Sequence, residues 1–129
     1  MQDLKYSIYA HTNDMKEFEE LLVSKVGLDI MQARVFLYVT IYGKSTAVNI
    51  AAKLGIAKND IMPIVESLVT LGAFIDMPDE IFEAMHPRFT VVNMYKRRCE
   101  HMGVEFGRNK IVDSIGAALE RPYEHARAK

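Results

Sequence analysis

The sequence contains a single cysteine, Cys99, and no tryptophan among its 129 residues. One cysteine cannot form a disulfide within the chain, and this usage is typical of a reducing compartment, so we expect a cytoplasmic location. The sequence also lacks a large excess of positive or negative residues, since the formal net charge is only −1. No overall positive field therefore attracts nucleic acid or anionic lipid, and any basic surface must be local.

Long apolar runs are missing as well. None approaches the ~20 residues that a membrane-spanning helix requires. The first residues lack the basic region and apolar stretch of a secretory signal. Half of the residues are nevertheless hydrophobic, which suits one domain with a substantial core. We therefore expect a soluble domain that makes no membrane contact.

Motifs for catalysis are absent. There is no glycine-rich phosphate loop, nucleophile elbow or paired-carboxylate motif, and the four histidines are scattered. Cys99 and His101 lie two positions apart on a predicted helix, so they point in different directions and are poorly placed to share a metal ion. We expect no enzymatic activity, no metal site and no cofactor, with Cys99 as a small core residue.

The residues that are present predict six helices, because apolar side chains recur at steps of three and four. The first is predicted to begin at Asp14, where Glu17 completes a capping-box pattern, and to end at Gly27. The second begins at Asp29 by the same pattern and ends at Gly43. Each terminal glycine suits the left-handed conformation that commonly closes a helix.

A short third helix follows Ser45 or Thr46, either of which can cap its first turn, and ends at Gly55. The fourth is predicted over residues 58–71, before Gly72. The tight connection between these two helices, with glycine at its start, is typical of a helix-turn-helix. The apolar face of the fourth helix comprises Ile61, Ile64, Val65 and Leu68.

Two short apolar stretches around Pro78-Asp79 then predict a β-hairpin. A fifth helix follows Pro87, which suits a first helical position, and ends at Gly103. The sixth is predicted from about residue 109 to residue 119. Gly116 lies on its apolar side and would let another helix come close. The polar residues 121–129 are expected to fray.

This order of elements predicts a mainly α fold, a winged helix-turn-helix with a short β-hairpin wing and two additional C-terminal helices. We predict an N-terminal extension over residues 1–13, the winged helix-turn-helix domain over residues 14–86, C-terminal helices over residues 87–120 and a polar tail over residues 121–129. In such domains the second helix of the motif enters the major groove of DNA, and the wing contacts the backbone or the minor groove.

Between residues 26 and 74, Gly27-Leu28, Gly43, Thr46-Ala47, Gly55-Ile56 and Gly72 stand at the helix ends and turns. With this pattern the segment resembles the winged-helix domain of the TrmB-like transcription regulators, which are found mainly in archaea. With a weaker continuation through "FEAMHPR", the resemblance covers about half of the chain. It implies a DNA-binding regulator, and the C-terminal effector domain of the longer family members is not expected here. The matching positions are mostly core and turn residues: Gly27, Leu28, Ala33, 36–38, Gly43, Thr46, Ala47, Ile50, Ala51, Gly55, Ile56, Leu68, Leu71 and Gly72.

The outward positions of the fourth helix are mostly polar, and they are the candidates for DNA contact. Asparagine and serine can bond to base edges, and methionine can contact a thymine methyl group. Lysines can neutralise phosphates, and the amides that begin the third helix can bind another phosphate. The predicted DNA-binding residues are Lys44, Ser45, Thr46, Lys58, Asn59, Met62, Pro63 and Ser67.

Other residues weaken this interpretation. Asp60 and Glu66 would place carboxylates on or near a surface that meets a polyanion, and the hairpin turn adds Asp79 and Glu80. Pro63 removes an amide hydrogen from the helix. Two alternatives to DNA contact are therefore open, because a fold does not determine a function. Either the polar face is only solvated, or the domain is a protein–protein interaction module without intrinsic DNA binding.

A basic segment lies on the fifth helix, where Lys96, Arg97 and Arg98 are consecutive. Three consecutive residues spread over most of a helical turn, so they do not form one stripe. They are either the solvated edge of an apolar seam or a second phosphate contact beside a bound duplex.

The last two helices carry apolar seams that predict a homodimer. The dimer would match palindromic DNA half-sites about one helical turn, ~34 Å, apart. Alternatively, both helices fold back onto their own domain. The residues assigned to the dimer seam are Phe89, Val92, Tyr95, Cys99, Met102, Ile111, Ile115 and Leu119.

Overall fold

The computed structural model describes residues 12–128, and their side chains from residue 15 onward. Most of the N-terminal extension predicted over residues 1–13 lies outside this range. The elements in chain order are α1 (Thr12–Leu21), a π-helical turn (Leu22–Val26), α2 (Ile30–Tyr42), β1 (Ser45–Thr46), α3 (Ala47–Leu54), α4 (Lys58–Thr70), β2 (Phe74–Met77), a 3-10 turn (Pro78–Glu80), β3 (Ile81–Ala84), α5 (Pro87–Met102) and α6 (Lys110–Arg127).

The mainly α class is confirmed, since 73% of the structure is helical and the sheet is small. Within the described residues, none of these helices has both the length and the apolar character of a membrane span. Helix α1 already includes Thr12, so it begins before Asp14, the predicted start. Beyond Leu21 its last turn widens to a π-helix that closes at Gly27, with φ of 93°.

Local sequence explains how α2 begins. The Asp29 carboxylate accepts a hydrogen bond from the Gln32 amide at 2.8 Å, and the Gln32 side chain accepts one from the Asp29 amide at 3.0 Å. This reciprocal capping box is the predicted one, and it satisfies two of the free amides at the helix start. Capping boxes of this kind fix where a helix starts without any tertiary contact.

Helix α2 lies at the centre of the core. Its side chains are buried around most of its circumference, and the Phe36 ring stacks on Phe74 of β2 with ring centroids 6.4 Å apart. Ile30, predicted to lie on the buried face, is instead 42% exposed because it occupies the first turn, at the edge of the core. The fully buried hydrophobic residues of α2 are Ala33, Val35, Phe36, Leu37, Val39 and Ile41.

The predicted hairpin is confirmed by strands β2 and β3, which pair antiparallel from Phe74–Ala84 to Met77–Ile81. A third strand, β1, pairs antiparallel with the other edge of β3, so the sheet order is β1-β3-β2. The sequence did not predict β1. Two residues are too few to show an alternating pattern, and this strand is formed only because β3 supplies its hydrogen-bonding edge.

Helices α5 and α6 pack on each other, and α6 also packs along α2. A Cβ added at Gly116 would lie 2.9 Å from the Arg88 Cα and 3.1 Å from the Pro87 carbonyl oxygen. The prediction that Gly116 allows a close helix approach is therefore confirmed. The helix that approaches is α5 of the same chain, which supports the alternative in which both helices fold back onto their own domain.

Replacing Gly116 with alanine is expected to destabilise the protein. Alanine normally stabilises a helix interior by about 1 kcal/mol relative to glycine. Here its methyl group meets backbone atoms, which no side-chain rotation can relieve, and overpacking costs about 1–3 kcal/mol. Urea unfolding should show a net loss of up to about 2 kcal/mol, and a larger loss for Gly116→Val. A gain for Gly116→Ala would mean that the two helices are not in close contact.

The predicted end of the last helix at residue 119, followed by a fraying tail, was wrong. Helix α6 continues to Arg127, and Pro122 in its final turns is buried. The Arg127 guanidinium donates to the Thr40 carbonyl at 2.8 Å and to the Val39 carbonyl at 3.3 Å, and it pairs with Glu83. These contacts, made with α2 and β3, hold the polar end of α6 on the domain.

Candidate nucleic-acid interface

Helices α3 and α4 form a two-helix unit with a short connection. The Thr46 hydroxyl caps α3 by accepting a hydrogen bond from the Asn49 amide at 3.1 Å. Gly55 ends the helix at φ of 69°, a left-handed conformation that costs a residue with a Cβ atom more than it costs glycine. Three residues later α4 begins, so the connection is tight, and the two helices contact each other.

The inward face of α4 is the predicted one. Ile61, Val65 and Leu68 have no exposed side-chain surface, and Ile64 is half-buried at the edge of the core. The opposite side is open, with Lys58, Asn59 and Pro63 exposed and Met62 half-buried. The N-terminal half of α4 therefore presents a lysine, an amide, a carboxylate and a proline to solvent.

Pro63 is the sixth residue of α4, beyond the first turn. It therefore removes one internal hydrogen bond, the one that an amide at this position would donate to the Asn59 carbonyl. The helix nevertheless continues to Thr70 because its inward face is anchored in the core.

Ser67 was predicted to contact DNA, but its hydroxyl is used within the chain. It is half-buried, accepts a hydrogen bond from the Gln32 side chain at 2.9 Å and donates one to the Ile64 carbonyl at 2.6 Å. Gln32 thus links the start of α2 to α4 in addition to closing its own capping box. Ser67 is better described as a residue that positions α4 than as one that reads a base.

The predicted residues at the start of the unit lie at the edge of the sheet. Lys44 is exposed, while Ser45 and Thr46 are half-buried in β1 and pair with Phe82 and Ile81 of β3. Because the Thr46 hydroxyl already caps α3, its side chain has less capacity left for a phosphate. Lys44 is the residue of this group that is free to reach one.

The turn of the β-hairpin contacts the start of α4 directly. Lys58 Nζ and Glu80 Oε1 are 2.7 Å apart, in an ion pair whose side chains are 43% and 48% exposed. Asp79 and Glu80 both have positive φ, 67° and 57°, which is costly for residues other than glycine. An exposed ion pair contributes at most about 1 kcal/mol, so a competing anion such as a phosphate could displace Glu80 from Lys58.

The charges around this surface are mixed. Lys44, Lys53 and Lys58 are the lysines of α4 and its neighbouring segments. Carboxylates outnumber them: Asp60 and Glu66 lie exposed on α4 itself, and the hairpin carries Asp76, Asp79 and Glu80, also exposed.

The three basic residues Lys96, Arg97 and Arg98 of α5 lie in different environments. Arg98 donates to the Ser24 carbonyl at 2.9 Å, near the end of the π-helical turn, and to Met102 Sδ at 3.4 Å. Its role is therefore structural, holding α5 against the end of α1. Lys96 and Arg97 are exposed, with the Lys96 ammonium 6.0 Å from the Phe106 ring. Of these three residues, Lys96 and Arg97 remain candidates for a second phosphate contact.

Three of the eight residues assigned to a dimer seam lie in the core of the chain. Cys99, Ile115 and Leu119 are at most 4% exposed, because α5 and α6 bury them against each other and against α2. Their assignment to an intermolecular surface is corrected accordingly. Val92 and Tyr95 are half-buried. The exposed members are Phe89, Met102 and Ile111, at 54%, 58% and 43%.

His86, Glu120 and Glu124 bring three possible metal-ligand atoms within 4.8 Å of one another. The His86 Nδ1 accepts a hydrogen bond from the Arg88 amide at 3.2 Å, so in a neutral ring the proton is on Nε2. Nε2 is the nitrogen that faces the two carboxylates, at 3.5 and 3.7 Å. The Nε2–H therefore points toward the two carboxylates, so in this geometry the contacts join the start of α5 to α6 through a ring N–H and two acidic side chains.

Arg88 completes this cluster by donating to Glu120 at 2.6 Å. Its hydrogen bond and charge, together with His86, lower the pKa of Glu120 below its usual value, against a smaller opposing effect of desolvation. The lowered pKa means that this link between α5 and α6 is present at neutral pH and is lost as the pH falls through the pKa of the folded state. Sequence reasoning missed the cluster because its two halves, His86 with Arg88 and Glu120 with Glu124, are 32 or more positions apart.

No protein-family model, no curated protein and no solved structure matches the chain.

Proposed function

We propose that this chain is a winged helix-turn-helix protein of the TrmB-like type, a sequence-specific DNA-binding regulator of transcription that acts as a homodimer. One observation carries the proposal. The open side of α4 begins beside the hairpin turn, where Lys58 contacts Glu80 at 2.7 Å, so helix and hairpin form one continuous surface. A DNA duplex would meet this surface with α4 in the major groove and the hairpin against the backbone.

The exposed residues divide the contacts between bases and phosphates. Asn59 can form a bidentate contact with an adenine edge, and the half-buried Met62 can pack on a thymine methyl group. Lys58 and Lys44 would neutralise phosphates, which fixes the register of the helix on the duplex without reading sequence. Phosphate binding by Lys58 requires that it exchange Glu80 for the phosphate.

The homodimer is supported by apolar side chains that the fold leaves uncovered. Phe89, Met102 and Ile111 remain exposed on α5 and α6, and the connection between these helices adds Val104 and Phe106, at 53% and 42%. These five side chains are large, and proteins bury such apolar surface in interfaces. A two-fold dimer would present two α4 helices to the two half-sites of a palindrome.

Titration of labelled genomic duplexes at ~50 and ~200 mM salt tests the proposal. For about six phosphate contacts in the dimer, the affinity should fall on the order of 10³-fold between the two conditions. Saturation should require two chains for each duplex. Absence of binding at the lower salt concentration would overturn the DNA-binding role.

Replacing Lys58 and Asn59 together with alanine should weaken binding by about tenfold or more, because one phosphate contact and one base contact are lost. The free energy of unfolding should change by less than about 0.5–1 kcal/mol, since both sites are exposed and the ion pair with Glu80 is weak. Lys110→Ala on α6 is the matched control, because it removes the same charge outside this surface. A loss of stability with unchanged binding would show that the face is misassigned.

The second candidate is a winged helix that binds a protein. The observation that favours it is the excess of carboxylates around α4 and the hairpin, with Lys58 already neutralised by Glu80. Such an interface would depend on salt far less steeply than phosphate contacts do. Binding of a protein partner with a shallow salt dependence, and no binding of any duplex, would select this function.

A further inference from the structure

A groove of about 400 Å³ lies between α1, α2 and α3, away from the residues assigned to DNA. Its volume falls within the range of small-molecule sites. The groove is partly apolar: Met15 of α1 and Leu54 of α3 face the rings of Tyr38 and Tyr42 on α2. The two rings lie with centroids 5.0 Å apart and planes tilted by 32°, so they form a bent aromatic wall one helical turn long.

Three charged side chains complete the lining: Glu19 of α1, Arg34 of α2 and Lys53 of α3. Arg34 Nε and Glu19 Oε1 are 3.3 Å apart, and the Glu19 side chain is only 17% exposed. This contact uses Nε alone, so the two Nη nitrogens of Arg34 have no acceptor among the described residues. Lys53 is exposed and likewise lacks a carboxylate partner in the described part of the chain.

The groove thus has two cations and one carboxylate, and the carboxylate is already paired. Glu19 orients the guanidinium so that its outer edge, which carries two parallel donors, remains available. Two parallel N–H donors match the two oxygens of a carboxylate, a geometry that a compact ammonium group does not offer. Burial and, to a smaller extent, Tyr38 raise the pKa of Tyr42, so its phenol stays neutral and does not repel an anion.

We propose that this groove binds a small aromatic carboxylate. The ligand's ring packs on Tyr38 and Tyr42 beside Met15 and Leu54, and its carboxylate is held by the Nη edge of Arg34 and by the Lys53 ammonium. Lys53 and Leu54 are the last residues of α3 before Gly55, so the ligand would link α1 and α2 to the helix that precedes α4. The site is independent of the DNA-binding role, because none of the contacts invoked involves α4 or the hairpin.

Binding is tested on the full chain with 2-naphthoate as the probe and 2-naphthamide as its neutral counterpart. The ring signals of Tyr38 and Tyr42 are followed by NMR, with those of Tyr95 and Tyr123 as internal references outside the groove. We expect saturable shifts of the first pair only, with a Kd below about 1 mM for naphthoate. The amide should bind about tenfold more weakly, because it cannot make the charge-assisted contacts.

Two substitutions distinguish this site from general adsorption. Arg34→Gln and Lys53→Gln should each weaken naphthoate binding by about fivefold to tenfold and leave the weak binding of the amide unchanged. Lys25→Gln removes an exposed lysine outside the groove and should change neither. Equal affinity for acid and amide would overturn the carboxylate assignment, and no saturable shift of Tyr38 or Tyr42 up to about 10 mM naphthoate would overturn the site itself.

Discussion

Replacing Arg127 with alanine is expected to lower the free energy of unfolding by about 2–4 kcal/mol, a large effect for a residue two positions before the last residue of the sequence. Its guanidinium donates to the carbonyls of Thr40 and Val39 at the C-terminus of α2, and it forms an ion pair with Glu83 of β3. The guanidinium carbon also lies 3.8 Å from the centre of the Tyr123 ring. The Arg127 guanidinium therefore donates hydrogen bonds to the end of α2, pairs with a carboxylate of β3 and packs on an aromatic ring.

The physical reason for the large effect is what the substitution leaves behind. The Val39 carbonyl already accepts the Gly43 amide, whereas no backbone amide of the described residues bonds to the Thr40 carbonyl. A cation at this helix end also interacts favourably with the helix dipole. Without Arg127, the Thr40 carbonyl and the Glu83 carboxylate lose a charged donor in a region where the side chains of Arg127 and Glu83 are only 21% and 24% exposed. An acceptor left unsatisfied in such a place costs more than the bond itself contributed.

Urea unfolding followed by circular dichroism measures this effect. Arg121→Ala is the matched control, because Arg121 lies exposed on the same helix and its removal should shift stability by less than about 0.5 kcal/mol. Arg127→Lys should recover only part of the loss, since a compact ammonium lacks the wide planar set of donors with which the guanidinium reaches both α2 and Glu83. Equal stability of the Arg127→Ala variant and the unaltered chain would mean that the end of α6 is not docked on α2.

Arg127 also shows where prediction from the sequence ends. Its partners on α2 lie 87 and 88 positions away, and the residues around it are polar, which is the usual pattern of a fraying terminus. No local signal distinguishes a lysine or arginine at a frayed end from one that caps a distant helix. The capping box at Asp29 and the glycine at position 55 were predictable because each depends on residues within one helical turn.

The apolar seams of α5 and α6 show a second limit. A repeat of three and four residues identifies a buried helix face, but the same repeat arises whether the partner is another chain or the chain's own core. Cys99 and Leu119 proved to be core residues, whereas Phe89 and Met102 from the same seam are exposed. Gly116 was the informative residue, because a glycine in a helix interior indicates a close approach, which the Pro87–Arg88 backbone makes.

The candidate surface on α4 was predictable in outline and not in detail. The helical repeat correctly placed Leu68 inward and Asn59 outward. Ser67 lies between the two faces, and its role depends on Gln32, which is 35 positions away and reaches its hydroxyl. Likewise, the pairing of Lys58 with Glu80 depends on how the hairpin turn folds back on the helix. Contacts of this kind require the tertiary structure.

Leu68→Ala is expected to have the other large effect, a loss of about 2–5 kcal/mol in the free energy of unfolding. The Leu68 side chain has no exposed surface and belongs to the main hydrophobic cluster, on the inward side of α4. Truncation removes buried methyl groups and leaves a cavity that the surrounding side chains fill only in part. The same substitution is a direct test of how α4 is rotated about its axis, on which the DNA-binding proposal depends.

Two companion variants make the result specific. Leu68→Met keeps most of the volume and should cost less than about 1.5 kcal/mol. Thr70→Ala, at an exposed position of the same helix, should shift stability by less than about 0.5 kcal/mol. A small loss for Leu68→Ala together with a large one for Thr70→Ala would mean that α4 is turned the other way. Asn59 and Pro63 would then point into the core, and no groove-reading face would remain.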